Sequence, residues 1–276
     1  MQISQQEIEA YERDGCLFPI DVFSKADASR LRSELESLEE RVSGNRERQA
    51  MLKNNSNWVL PWFDALARNR RILGAVSSVM GPDLLALNVD LFVKEPRTKD
   101  FISWHQDLHY WGLDSDDEVT VWLALSPATA QSGCMRFLPG SHTAVVEHKD
   151  TFEDRNMLSR GQELAVDVDE EKTVNVELKP GQISLHHGRM FHASAANRSD
   201  DRRIGIAIRY VRPSVGLAKD GEKTGASLVL GHDACGNFDL VEPPQAEFEP
   251  AAVENWQRLR RIEEKILFAP YPPKLS

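Results

Sequence analysis

The stretch 202–210, reading Arg-Arg-Ile-Gly-Ile-Ala-Ile-Arg-Tyr, constrains this chain more than any other. Successive side chains of a β-strand point to opposite faces. As a strand, it presents Ile204, Ile206, Ile208 and Tyr210 on one side and Arg203, Gly205, Ala207 and Arg209 on the other. The first side is bulky and apolar. The second is small in the middle and cationic at its ends, which is odd for a packed core and fits the wall of a cavity holding a charged small molecule.

From about residue 84 the chain has the texture of short runs rich in Val, Ile, Leu and Phe, broken by turn residues: 84–94, 118–125, 134–138, 173–178, 183–187, 191–195 and 203–211. Short strands at such spacing imply a β-sandwich or barrel. The first third reads as helical. Ser4-x-x-Glu7 is a capping-box pattern for a helix ending at Gly15. Ser24 opens a second, striped by Ala28, Leu31, Leu35, Leu38 and Val42. Residues 54–61 read as a loop, and 69–80 as a helix stopped by Gly81-Pro82. The tail from Pro213 is irregular until a final helix over 251–268. Without repeats or a low-complexity linker, the 276 residues are expected to form a single domain: a helical layer over about 1–83, a β core over about 84–213 and an extension over about 214–276.

Composition narrows the function classes. A formal net charge of -10 with scattered basic residues gives no support for nucleic-acid or anionic-membrane binding. Three cysteines without CxxC pairing argue against a zinc knuckle or disulfide framework and fit a reducing compartment. The polar start MQISQQEIEAYERDG lacks the apolar stretch of a signal peptide, and no apolar run approaches a membrane span. A cytoplasmic protein, monomer or homodimer, is expected.

Trp104-His105-Gln106-Asp107 places His105 and Asp107 on one face of a strand end, able to offer an imidazole and a carboxylate to one ion. With the distant His192 they make the two-histidine, one-carboxylate set of a non-haem iron(II) site, which leaves open positions for a co-substrate and O2. An HxD triplet alone is common, and eight histidines make a distant partner easy to find. The second half of the pattern adds weight. Residues 191–195, the turn-like 197–201 and the strand from 203 read as a β-hairpin that sets Arg203 across from His192 and Ser194. Arg203, with the Ser194 hydroxyl, would then hold the far carboxylate of 2-oxoglutarate. The competing reading of Arg203 is a surface ion pair with Asp200 or Asp201.

The segments WHQDLHYWGL, VTVWLALSPATAQSGCMRFLPGSH and LHHGRMFHASAANRSDDRRIGIAIRY resemble the bacterial branch of the phytanoyl-CoA dioxygenase family, with the resemblance running from roughly Glu7 to Val211. It implies a mainly β (α+β) fold, a double-stranded β-helix or jelly-roll core under an amino-terminal helical layer. It also implies iron(II) held by His105, Asp107 and His192, and 2-oxoglutarate held by Arg203 and Ser194. Halogenases of the wider family replace the metal-binding acid by Ala or Gly, and Asp107 argues against that chemistry. His142, in the Pro139-Gly140-Ser141 turn region, reads as turn packing rather than catalysis.

The expected activity is therefore hydroxylation of an unactivated C–H in a small, anionic or polar metabolite such as a phosphonate, carboxylate or natural-product intermediate. Asn88, Phe92 and Lys94, at period-two spacing, together with Trp111 and Arg189, are candidate substrate-binding residues. Lys94, Arg189 and Arg209, if they line the cavity, favour an anionic substrate. Phe92 and Trp111 read equally as core, and Lys94 as a solvated strand end. The acidic segment 150–171 reads as a lid over the pocket or an exposed insertion. Rival readings are an oxygenase acting on a protein side chain or acyl thioester, and a non-catalytic jelly-roll that binds a ligand.

Overall fold

The computed structural model describes residues 2–218 and 222–268. Its helices are α1 (Gln5–Asp14), α2 (Lys25–Arg41), α3 (Arg46–Lys53), α4 (Pro61–Ala67), α5 (Arg70–Met80) and α6 (Pro250–Leu267). Strands β1 (Cys16–Asp21), β2 (Leu84–Lys94), β3 (Ile102–His105), β4 (Glu118–Ala124) and β5 (Met135–Phe137) are followed by the short pair β6 (His148–Asp150) and β7 (Gln162–Leu164). Then come β8 (Val174–Val176), β9 (Gln182–His187), β10 (His192–Ser194), β11 (Arg203–Val211), β12 (Gly225–Leu230) and β13 (Asp239–Leu240). A seven-stranded sheet runs β1-β9-β4-β11-β2-β12-β13, and a four-stranded sheet runs β3-β10-β5-β8. This is the jelly-roll that the family resemblance implies, with helices layered on the larger sheet.

Two hydrophobic layers explain the arrangement. Ile204, Ile206, Ile208 and Tyr210 face outward from the larger sheet and pack with Val121, Leu123 and Leu185 against Leu35, Phe63, Ile72 and Val76 of the helices. Between the sheets lies a smaller cluster that includes Trp122, Ala124, Met135, Phe137, Val176 and Ala207. The two-faced strand 203–211 is thus the wall between core and interior. The expected stripe on α2 is buried as read, and Ser4 and Gly15 cap α1 as expected.

Three local readings are corrected. The amino-terminal third is not wholly helical: β1 pairs antiparallel with β9 as the edge of the larger sheet. Pro19 is tolerated there because an edge strand need not donate every N–H. Residues 54–61 are not all loop, since Ser56–Trp58 form a 3₁₀ turn and α4 starts at Pro61. The expected hairpin between 191–195 and 203–211 does not form: β10 pairs with β3 and β5, whereas β11 pairs with β2 and β4. The chain between them crosses from one sheet to the other. Asn197, fully buried, anchors the crossing by donating its Nδ2 hydrogens to the carbonyls of Lys94, Glu95 and Asp201. Among the described residues no helix is long and apolar enough to cross a membrane.

Candidate active site

His105 ends β3 and His192 begins β10, and the two are direct partners in the antiparallel ladder. Asp107 follows in a 3₁₀ turn, Asp107–His109. Asp107 Oδ1 lies 3.2 Å from His105 Nε2 and 3.9 Å from His192 Nε2. One potential ligand atom from each residue falls within a cluster 4.8 Å across. His105 Nδ1 is 2.9 Å from the Ser103 carbonyl and His192 Nδ1 is 2.9 Å from the Met190 carbonyl. A carbonyl can only accept, so each Nδ1 carries the proton and each Nε2 turns a lone pair to the cluster. This donor set, closed on one side by backbone bonds, fits a divalent metal ion.

The electrostatics agree. Burial by itself would raise the Asp107 carboxyl, but the charge of Arg209 opposes it, and the carboxyl is held below its ordinary value and ionised. Arg209 Nε lies 3.6 Å from Asp107 Oδ2. Burial, reinforced by His105, pushes His192 down to about 4, which keeps it neutral and able to ligate.

Behind the triad an inner cavity of about 40 Å³ extends between the sheets to Arg203. Arg203 is 1 % exposed, and its Nε and Nη2 find no hydrogen-bond partner among the described residues. The surface pair with Asp200 or Asp201 is thereby replaced: Asp200 pairs with Arg97 and Asp201 with Arg32. Burial alone lowers the Arg203 pKa to about 10. A buried guanidinium with free donors is costly unless something supplies acceptors. Ser194 faces the same cavity. Gly205 is required here, because a Cβ at that position would lie 1.8 Å from the Trp122 ring. The indole occupies that space and packs 5.3 Å from the Arg203 guanidinium.

A second, outer cavity of about 390 Å³ opens from the other side of the triad. Asn88, Phe92 and Trp111 line it. A bulge in β2 beside Leu87 lets Asn88 face inward opposite Arg209. Lys94 and Arg189 do not line either cavity. Lys94 continues the inward period-two series, but it sits opposite Arg203, past the cavity floor. Its Nζ donates to the Ser194 carbonyl at 3.0 Å, the Ser194 hydroxyl at 2.7 Å and the Ala195 carbonyl at 2.5 Å. Arg189 pairs with Asp116 at 3.0 Å. The expected anionic-substrate lining is revised accordingly: of the three cations, Arg209 alone reaches the cavity, already bonded to Asp90 at 2.6 Å and Asn88 at 3.0 Å. His142 packs against α1, 3.3 Å from the Glu12 carbonyl.

Sequence reasoning passed over several lining residues. Asp90 lies midway in the period-two series from Asn88 to Phe92, so the pattern itself could have found it. Trp122 was legible only once β4 had been assigned an inward face. Asn55, Arg260 and Glu263 come from the link between α3 and the 3₁₀ turn and from α6, and no local signal connects them to the triad. Met157, Leu158, Ser159 and Gln162 place part of the 150–171 segment on the cavity wall. It is stitched to β3 by the Met157 N–H to the Phe101 carbonyl at 2.9 Å and Asn156 Nδ2 to Ser103 Oγ at 2.7 Å.

Comparison with known proteins identifies the family. The Phytanoyl-CoA dioxygenase (PhyH) family profile matches residues 11–205. The chain is 29% identical over 168 residues to a "Probable alpha-ketoglutarate-dependent hypophosphite dioxygenase" of Stutzerimonas stutzeri, covering 58% of each protein. It is 27% identical over 144 residues to the peroxisomal phytanoyl-CoA dioxygenase of Homo sapiens, covering 50% of this chain and 43% of that protein. The chain thus spans about half the length of these curated relatives. Among solved structures, the apo form of the non-heme monooxygenase ThoJ superposes with a TM-score of 0.84 at 32% identity, covering 94% of this chain and 96% of that one. CytC3 with Fe(II) and alpha-ketoglutarate shares the fold, with a TM-score of 0.68 at 22% identity over 90% of this chain and 96% of that one. The chain belongs to the phytanoyl-CoA dioxygenase family.

Proposed function

We propose that this protein is an iron(II)- and 2-oxoglutarate-dependent oxygenase that hydroxylates an unactivated C–H of a small polar molecule, consuming O2 and releasing succinate and CO2. The observation that carries the reading is Arg203: a buried guanidinium with unused donors at one end of a cavity whose other end is the His105, Asp107, His192 cluster. That is the shape and charge of a site for a molecule with a chelating end and a distal carboxylate. The names of the hypophosphite dioxygenase relative and of the ThoJ neighbour support the same chemistry.

His105 and His192 hold the metal through Nε2 and Asp107 through its carboxylate, and Arg209 keeps Asp107 ionised. The metal with 2-oxoglutarate supplies oxygen activation when both are bound. Arg203 grips the distal carboxylate, and Lys94 orients Ser194 to help. A hydroxyl has one hydrogen, and with Lys94 donating to its oxygen, the Ser194 O–H is left to donate to the ligand. Ile102, Met135, Ala193 and Ala207 give the inner cavity apolar walls that exclude water. The substrate binds in the outer cavity, where aromatic Phe92 and Trp111 meet Asn88, Asp90, Arg260 and Glu263. Both signs of charge line it, so the substrate is polar and carries donors as well as acceptors.

The test is anaerobic titration of iron(II) and 2-oxoglutarate, following the visible charge-transfer band of the chelate, in wild type, Asp107→Ala and Arg203→Ala. A band in wild type that weakens in both variants is expected, with succinate release on adding a turnover substrate. No band in wild type would overturn the assignment and leave a ligand-binding jelly-roll.

A further inference from the structure

We propose that His186 is a further co-substrate-binding residue, its imidazole hydrogen-bonding the metal-proximal oxygens of 2-oxoglutarate. This rests on the functional reading above and deepens it.

His186, on β9, is 1 % exposed, and neither ring nitrogen has a hydrogen-bond partner among the described residues. An imidazole offers an N–H donor and, at its other ring nitrogen, a lone pair. Both are unused, and the ring lines the inner cavity with Arg203 and Ser194. It does not line the outer cavity. The group it awaits is therefore the molecule in the inner cavity rather than the oxidised substrate.

The register gives the end of that molecule. His186 pairs with Thr120, Thr120 with Arg209, and Arg209 with Asn88, forming one cross-strand row of the inward face. This row lies at the triad: the His186 ring centroid is 5.0 Å from that of His192, and Arg209 reaches Asp107. Arg203 is at the far end of β11, opposite Lys94. A ligand held by Arg203 at its distal carboxylate presents its keto-acid end to the His186 row. Thr120 has already given its hydroxyl hydrogen to Glu118 at 2.8 Å, and Arg209 is turned to Asp90 and Asn88. Arg209 Nε also makes no hydrogen bond among the described residues, but it lies 3.6 Å from Asp107 Oδ2, which leaves His186 as the donor of the row without a charged neighbour to face.

The experiment measures anaerobic 2-oxoglutarate affinity by calorimetry, and metal affinity separately with Co(II), in wild type, His186→Phe, His186→Leu, His186→Gln and Arg203→Met. Removing the imidazole is expected to weaken 2-oxoglutarate by about tenfold, as for loss of a hydrogen bond to a charged group. Metal affinity should stay within about threefold, and His186→Gln, which keeps an N–H donor, should recover most of the loss. The Leu and Gln variants carry the comparison should Phe not fold. Wild-type 2-oxoglutarate affinity in His186→Phe or His186→Leu would overturn the proposal, as would a parallel loss of metal, which would make His186 a support for His192. Those outcomes leave the functional reading standing provided Arg203→Met still loses 2-oxoglutarate. Absence of 2-oxoglutarate binding in wild type would bring down both.

Discussion

Replacing Arg203 by Met should move ligand affinity and ligand-free stability in opposite directions. Met roughly preserves the unbranched stem and removes the guanidinium. With 2-oxoglutarate bound, the lost interaction is a buried charge-assisted pair, whose disruption costs ~3–5 kcal/mol and weakens affinity by about 100- to 5,000-fold. Without ligand the sign reverses. Burial depresses the Arg203 pKa from its ordinary 12.5 to about 10, with no carboxylate bonded to it. At about 1.4 kcal/mol per pH unit this is a folding cost of ~3 kcal/mol. Packing against Trp122 recovers part of it, ~1 kcal/mol for a cation over a ring. Arg203→Met is therefore expected to be more stable than wild type by ~1–2 kcal/mol in the absence of 2-oxoglutarate. Urea unfolding with and without the co-substrate reads both effects, since ligand at 100 times its Kd adds about 2.7 kcal/mol to wild type. A variant that is destabilised alone yet binds 2-oxoglutarate normally would refute the reasoning and make Arg203 a structural cation.

Two further outcomes follow from buried ionisable groups. Burial and Arg203 lower Lys94 to about 6, so above that pH in the ligand-free protein it tends to lose its proton and with it one of the three hydrogen bonds donated by Nζ. A dianion arriving beside it raises its pKa, so 2-oxoglutarate binding at pH 8 should take up a proton and weaken as pH rises. Calorimetry in buffers of different ionisation enthalpy should show this in wild type and lose it in Lys94→Met, which should also bind about tenfold more weakly. Burial raises Glu263 to about 7 despite Arg260 and Asn55. The folded state therefore keeps a proton that the unfolded chain has released, and this contribution to stability is present below pH 4.5 and lost as pH rises to about 7. Glu263→Gln should flatten that slope and be more stable than the parent at pH 8. An unchanged pH–stability curve in denaturant melts would reject it.

The parts of the site that the sequence makes legible are those set by strand periodicity. The inward face of β11 carries Arg203 and Arg209 whatever the partner strands are, whereas Asp107 lies past the end of β3 in a 3₁₀ turn, so alternation alone does not bring it to His105. Which strands those partners would be is less legible. A hairpin is the cheapest connection between adjacent strands, yet Asn197 spends its amide on three carbonyls to hold a crossover instead. Lys94 shows a different limit: alternation gives the face a side chain points to, not how far the cavity extends along it. Asn55 and Glu263 meet through two hydrogen bonds, at 2.7 and 2.8 Å, across a sequence separation of 208 residues, and only tertiary packing brings α6 over the outer cavity.

The distribution of charge along the inner face argues for selection of a dicarboxylate over a shorter keto acid. Arg209 lies between Asp90 and Asp107, and the Asp90 pairing leaves Asp107 as the net negative charge at the triad. Glu118, also beside the triad, is kept protonated by burial and by Asp107 and adds no charge. A divalent metal would then leave an excess positive charge at one end of the cavity, and Arg203 supplies another at the far end. Two separated excess charges are cancelled by a ligand with an anion at each end. Pyruvate has the same chelating end without the distal carboxylate, so it would leave Arg203 buried and unpaired. It is expected to bind at least about 100-fold more weakly than 2-oxoglutarate in wild type. In Arg203→Met the distal charge keeps only the Ser194 hydroxyl and Lys94 near it and must still be desolvated, so the preference should fall to within about threefold of unity. Competition between the two keto acids under anaerobic conditions measures the ratio directly. A preference that survives in Arg203→Met would place the recognition of the distal carboxylate elsewhere in the inner cavity.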